Sequence, residues 1–208
     1  MHVATIAGDA QGMTMITEED CAQWLEQEEI ASRHLRISRL AFIANEYGPP
    51  RHLLIPGGFV PVQAFEEARW CYVNGQFIGC VLLCQIVLEH ILAGLFYLMG
   101  KDRVAGAGFG NICAEAERER FITAEERKLF DGIRVKRNPY VHPRRMDRAD
   151  RIERRMIVEE TDFEEIVVKD ARLAIGAVFR LLKRHPFAFC EDNEQPSGGD
   201  EGSRAPQQ

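Results

Sequence analysis

Residues 77–99 read FIGCVLLCQIVLEHILAGLFYLM, and this run constrains the fold more than any other part of the 208-residue chain. It is long enough for a membrane span. Gln85, Glu89 and His90 sit near its middle, however, and an acidic residue there costs roughly 2–3 kcal/mol on insertion scales. A helix apolar on nearly every side that stays out of lipid must be surrounded by protein. The run therefore predicts a central core helix with no membrane span, and it requires amphipathic partners along the rest of the chain.

Those partners are legible. No proline interrupts residues 62–98, and Pro61 suits a first helical turn. Asn74-Gly75 either splits this stretch in two or is tolerated at about 1 kcal/mol. Thr17 and Asp20 have capping-box spacing and open a first helix carrying Cys21, Trp24 and Leu25. From His34 to Phe59, Pro49-Pro50 and Pro56-Gly57-Gly58 punctuate short apolar runs, which predicts an irregular connector with short strands. A glycine-rich break over residues 100–110 precedes a short polar helix at residues 111–120. Thr123 and Glu126 form a second capping box, whose helix turns Leu129, Phe130 and Ile133 inward and carries Arg137 one turn beyond Ile133. Thr161 and Glu164 open a last helix with an apolar stripe of Val167, Ala171, Ala174, Val178 and Leu181.

The sum is an all-α bundle of four to five helices with an irregular N-terminal segment. Residues 1–16 read as a flexible leader and 17–60 as an N-terminal helix and connector. Residues 61–188 read as the helical domain, and 189–208 as a disordered tail with nothing to pack. The N-terminus lacks the basic start and apolar middle of a secretory signal. Six cysteines without a Cys-x-x-Cys pair fit a reducing compartment. A cytoplasmic location is expected.

Several chemistries have no support. Cys80 and Cys84 lie one turn apart on an apolar helix and read as buried small hydrophobes, so no metal is expected. Gly106, Gly108 and Gly110 follow no strand and lead to no Gly-Lys-Ser/Thr, so they do not form a phosphate loop. Serine-hydrolase, zinc-protease and calcium-loop motifs are missing from the sequence, and no cofactor is expected.

Charge is concentrated instead in residues 134–155. Arg134, Lys136, Arg137, Arg144, Arg145, Arg148, Arg151, Arg154 and Arg155 are nine cations against Asp147, Asp150 and Glu153. That is +6 in a chain whose total is −6, so the remainder carries −12. A phosphate polymer is the natural partner of such a field, because each phosphate neutralised releases counterions. Arg134, Lys136, Arg144, Arg145 and Arg148 are the candidate RNA-binding side chains. The alternative is a solvated helix face in which Asp147 pairs with Arg151 and Asp150 with Arg154.

Within this segment Arg137-Asn138-Pro139-Tyr140-Val141-His142 resembles the Arg-x4–6-His motif of HEPN domains (higher eukaryotes and prokaryotes nucleotide-binding). The order of helices over residues 61–186 is also similar to that family. A second copy of the spacing, Arg180 to His185, ends the last helix, where cations are the ordinary electrostatic choice. The resemblance implies a metal-independent endoribonuclease of toxin or defence type. His142 would be its general acid or base, Arg137 would stabilise the phosphorane, and Asn138 would orient phosphate or imidazole. It further implies RNA as substrate, a homodimer with two motifs face to face, and an antitoxin or nucleotidyltransferase partner. Tyr140 and Glu89 are the candidate supporting residues. Glu89 would either pair with Arg137 or His142, or face solvent or a dimer interface.

Two readings stand beside this one. Asn138-Pro139 also fits a helix N-cap followed by proline at the first helical position. The whole scaffold would then be a non-catalytic helical module that dimerises or binds a partner or nucleotide. RNA binding without cleavage is the third reading.

Overall fold

The computed structural model describes residues 15–48 and 55–184; the sequence expectations for residues 1–14, for Pro49-Pro50, for His185 and for the 189–208 tail lie outside them. The described residues form eight helices and no strand: α1 (Glu18–Tyr47), α2 (Phe59–Val73), α3 (Phe77–Leu98), α4 (Asp102–Ala105), α5 (Phe109–Arg118), α6 (Ala124–Val141), α7 (Ile152–Val158) and α8 (Phe163–Arg184). The all-α class is as the sequence predicts. The number exceeds four to five because Asn74-Gly75 does split α2 from α3, and because α4 and α7 are short.

Helix α3 is the axis, with α2, α4, α5, α6 and α8 packed against it. It is the described helix with the length and hydropathy of a membrane span. Its buried side chains, among them Val81, Val87, Leu88, Ile91, Leu92 and Phe96, fill the centre of the bundle. Cys80 and Cys84 are fully buried with sulfurs 3.9 Å apart, and burial raises the Cys84 thiol well above its usual range. The α8 stripe of Val167, Ala171, Ala174, Val178 and Leu181 is buried throughout, as its spacing requires. So are Phe130 and Ile133 of α6.

One backbone contact fixes the entry to α2. Gly57 has φ +102°, and a Cβ there would stand 2.6 Å from the carbonyl oxygen of His90. Across the contact, a Cβ on Gly94 of α3 would stand 2.7 Å from the Gly57 nitrogen. The Pro56-Gly57 turn thus lies directly on the backbone of α3, an approach only two facing glycines permit.

The connector departs most from expectation. Residues 34–47 are helical, not irregular: α1 continues from its Thr17–Asp20 capping box to Tyr47 and stops at Gly48, φ +96°. No glycine or proline lies between Thr17 and Gly48, so the helix has no reason to end earlier. Only the C-terminal part of α1 is anchored. Ile43 and Tyr47 are buried, Tyr47 stacks on Phe179 at 4.7 Å, and Arg39 lies over the Phe77 ring while donating to the Val73 carbonyl. Every residue from Glu18 to Ala31 is exposed.

Candidate functional site

Helix α6 brings the motif to the surface. Thr123 accepts from the Glu126 amide while the Glu126 carboxylate accepts from the Thr123 amide, so the capping box is complete. The helix then runs unbroken through Asn138 and includes Pro139 in its last turn. Asn138 is therefore not an N-cap, and the helix-start reading of Asn138-Pro139 is corrected. Proline this close to the C-terminal end forfeits a single intrahelical bond. Pro143 keeps its predecessor extended: His142, at φ −123° and ψ 131°, is the C-cap, and its amide donates to the Asn138 carbonyl at 2.9 Å.

Arg137 is half-buried and donates to its neighbour Asn138 Oδ1 at 3.3 Å. His142 is exposed. Five residues of helix separate the two by about 140° around the axis, and among the described residues no hydrogen bond joins them. The motif therefore presents its guanidinium and imidazole on well-separated sides of one helix end, and of its polar residues only Asn138 lines the cavity there.

Beside it, Arg134, Asn138, Arg144, Arg148, Asp147 and Asp150 line an open depression of about 620 Å³. Three cations face two carboxylates here. Arg144 meets Asp150 at 3.2 Å and Arg148 meets it at 3.5 Å. Arg145 pairs with Asp147 and Arg151 with Glu153. The expected i,i+4 pairs of Asp147 with Arg151 and Asp150 with Arg154 do not form. Residues 143–151 are turns, because α7 opens only at Ile152. Seven of the nine cations in residues 134–155 have a carboxylate partner. Among the described residues, Arg137 and Arg154 are the two that have none.

The most ordered polar cluster lies beneath this surface and centres on Asp170 of α8, which is 2% exposed. Its carboxylate accepts from Tyr140 Oη at 2.8 Å, from Lys136 Nζ at 2.8 Å, and from two nitrogens of Arg155 at 2.6 and 2.9 Å. Arg155 also pairs with Glu159 at 3.0 Å. Burial alone would raise the Asp170 carboxyl, but the donors from Arg155, Lys136 and Tyr140 outweigh it and hold it below its usual range. Burial and the Asp170 charge together push the Tyr140 hydroxyl far up.

Two sequence-predicted residues thus serve the interior. Lys136 and Tyr140 tie α6 to α8 through Asp170. Asp170 itself escaped the sequence reading, although a carboxylate between Val167 and Ala171 in an otherwise apolar stripe was the available signal. The helix α8 cap also shifts by one residue, since Asp162, not Thr161, accepts from the Glu165 amide at 2.8 Å.

Glu89 is half-buried on α3 and, among the described residues, makes no ion pair with Arg137 or His142. Its charge acts instead on Cys113 of α5, whose thiol is pushed up to about 12, chiefly by burial and then by Asp131. His90, next to it, is exposed. Comparison with protein-family models, with curated proteins and with solved structures returns no match.

Proposed function

We propose that this protein is a HEPN-type, metal-independent endoribonuclease acting at the C-terminal end of α6. The observation that carries the reading is the state of Arg137. In a segment where cations are mostly neutralised, this guanidinium has no carboxylate, is held by Asn138, and sits one helix end away from an exposed imidazole. A guanidinium left free of internal counter-charge is available to phosphate oxygens, which match its fixed donors.

RNA would lie across the depression of Arg134, Arg144 and Arg148, where the more exposed Arg134 and Arg148 exchange their carboxylates for phosphates. The 2′-hydroxyl proton passes to His142 as its oxygen attacks phosphorus, the bond to the 5′-oxygen breaks, and that oxygen takes a proton from water, which the imidazolium returns to the solvent. The products are a 2′,3′-cyclic phosphate and a free 5′-hydroxyl. Arg137 holds the charge that builds on the equatorial oxygens, and Asn138 fixes the guanidinium. The Asp170 cluster keeps the helix end rigid beneath them.

The test is cleavage of a mixed RNA pool in EDTA by the parent, His142→Ala and Arg137→Ala proteins. Cyclic ends from the parent and a loss of at least 100-fold in each variant support the reading. Equal activity in parent and His142→Ala proteins, or none in the parent, removes it. A non-catalytic helical module is the second reading, favoured by the commitment of Lys136 and Tyr140 to Asp170. It predicts no cleavage at any protein concentration.

A further inference from the structure

Helix α1 offers a surface that the RNA reading does not use. Its first half, residues 18–31, projects from the bundle with every side chain exposed. This arm holds Glu18, Glu19, Asp20, Glu26, Glu28 and Glu29 and not one Lys or Arg. It also exposes Trp24 to 72%, Leu25 to 69% and Ile30 to 70%. Trp24, Leu25 and Ile30 stand on different faces of this strongly acidic helix, so the arm leaves apolar area in water all round.

A complementary surface lies on the same chain, out of the arm's own reach because arm and groove wall belong to one continuous helix that cannot fold back on itself. Between the anchored end of α1 and helix α8 runs an open groove of about 490 Å³. Phe42, Leu129, Leu173 and Ala177 form its apolar floor, and Lys169, Arg172, Arg180 and Lys183 line it with a single acid, Glu46. Arg180 is exposed and, among the described residues, has no partner. The lengths agree as well. Fourteen residues of arm and the stretch of α8 from Lys169 to Lys183 each extend roughly 20 Å at 1.5 Å per residue.

We propose that two copies of this chain exchange arms, the acidic first half of α1 from each lying in the basic groove between α1 and α8 of the other. The contact is reciprocal and closes with two-fold symmetry. Helix α1 of each copy runs antiparallel to that of its partner, so Trp24 approaches the floor near Phe42 while the carboxylates meet the groove cations. Trp24, Glu28, Ala31, Leu35, Ser38 and Phe42 recur at alternating spacings of four, three, four, three and four, so in this register Ala31 meets the partner's Leu35 at the middle of the helix pair.

The experiment uses two charge-reversed full-length proteins, one with Glu26→Lys, Glu28→Lys and Glu29→Lys in the arm, the other with Lys169→Glu and Arg180→Glu in the groove. Sedimentation equilibrium should give a dimer for the parent, and monomers for each variant alone at the same concentration. Mixing the two variants should restore the dimer, because each reversed arm then meets a groove of opposite sign. Circular dichroism equal to the parent's confirms that the variants are folded. Trp24→Ala should weaken the parent dimer at least tenfold without changing the charge. A monomeric parent, a dimer that survives both reversals, or a mixture that stays monomeric would overturn the proposal. An arm covered by another part of its own chain gives the first outcome, and dimerisation through the end of α6 gives the second.

Discussion

Arg155 and Asp170 meet through two parallel hydrogen bonds, 2.6 and 2.9 Å long, although they belong to different helices and both are almost wholly buried. This pair decides how the candidate site is held. Buried ion pairs are weak net stabilisers but expensive to break by halves, since the surviving charge is left without compensation.

Arg155→Ala should lower stability by about 3 kcal/mol, the low end for half of a buried pair, because Lys136 and Tyr140 still hold the Asp170 carboxylate. Asp170→Asn should cost less, because the amide still accepts from Tyr140 or Lys136 and Arg155 keeps its Glu159 carboxylate. Urea unfolding of both proteins, followed by far-ultraviolet circular dichroism, checks the order. A smaller loss for Arg155→Ala than for Asp170→Asn would contradict the cluster as described.

The same carboxylate fixes an acid limit. Asp170 is held below its ordinary value in the folded chain, so the folded state binds its proton less readily than the unfolded one. Its contribution is fully present above about pH 3.9, the unfolded value, and is lost as pH falls further through the folded one. Tyr140, raised instead, contributes below about pH 10 and loses that contribution as pH climbs beyond it. Melting temperatures across pH 2–5 should fall less steeply for Asp170→Asn than for the parent, and across pH 9–11 less steeply for Tyr140→Phe.

Gly94→Ala should cost about 1–3 kcal/mol through overpacking. Its new methyl would meet the Gly57 backbone at 2.7 Å, where no flexible side-chain end can give way. Thermal unfolding measures it, and a melting temperature equal to the parent's would show that the turn at Pro56 does not rest on α3.

Arg137→Ala and His142→Ala should each change stability by no more than about 0.5 kcal/mol, as surface substitutions outside any buried network do. Neither side chain pairs with a carboxylate and His142 is exposed. Denaturant midpoints of the two variants should match the parent's, which lets any loss of RNA cleavage be read as chemistry. A large destabilisation by Arg137→Ala would favour the scaffold reading.

What could be read from the chain beforehand followed the regular signals. The apolar run at Phe77, the stripe on α8 and both threonine capping boxes each placed a helix correctly, because periodicity and caps act locally. Helix α1 outruns its sequence expectation because Pro49-Pro50 and Pro56-Gly57-Gly58 make the whole of residues 34–59 look like one loop, although breakers act only where they stand. Ion pairing was the least legible layer. Asp147 and Asp150 have helical spacing to Arg151 and Arg154, and a turn redirected them. The Asp170 contacts span 15 to 34 residues, a separation that no local rule reaches. Lys136 consequently reads as an RNA contact in the sequence, although its amine is bound to Asp170.

Tyr140 and Arg155 grip one and the same carboxylate, so the stretch between them, with His142, Arg144 and Arg148, is a closed ring of chain hung from a single peg. Its two stems cannot drift apart while that peg holds. Chain length added or removed within the ring would alter the reach of its tip and leave the attachment untouched, so variants of this protein can reshape that tip without refolding the bundle.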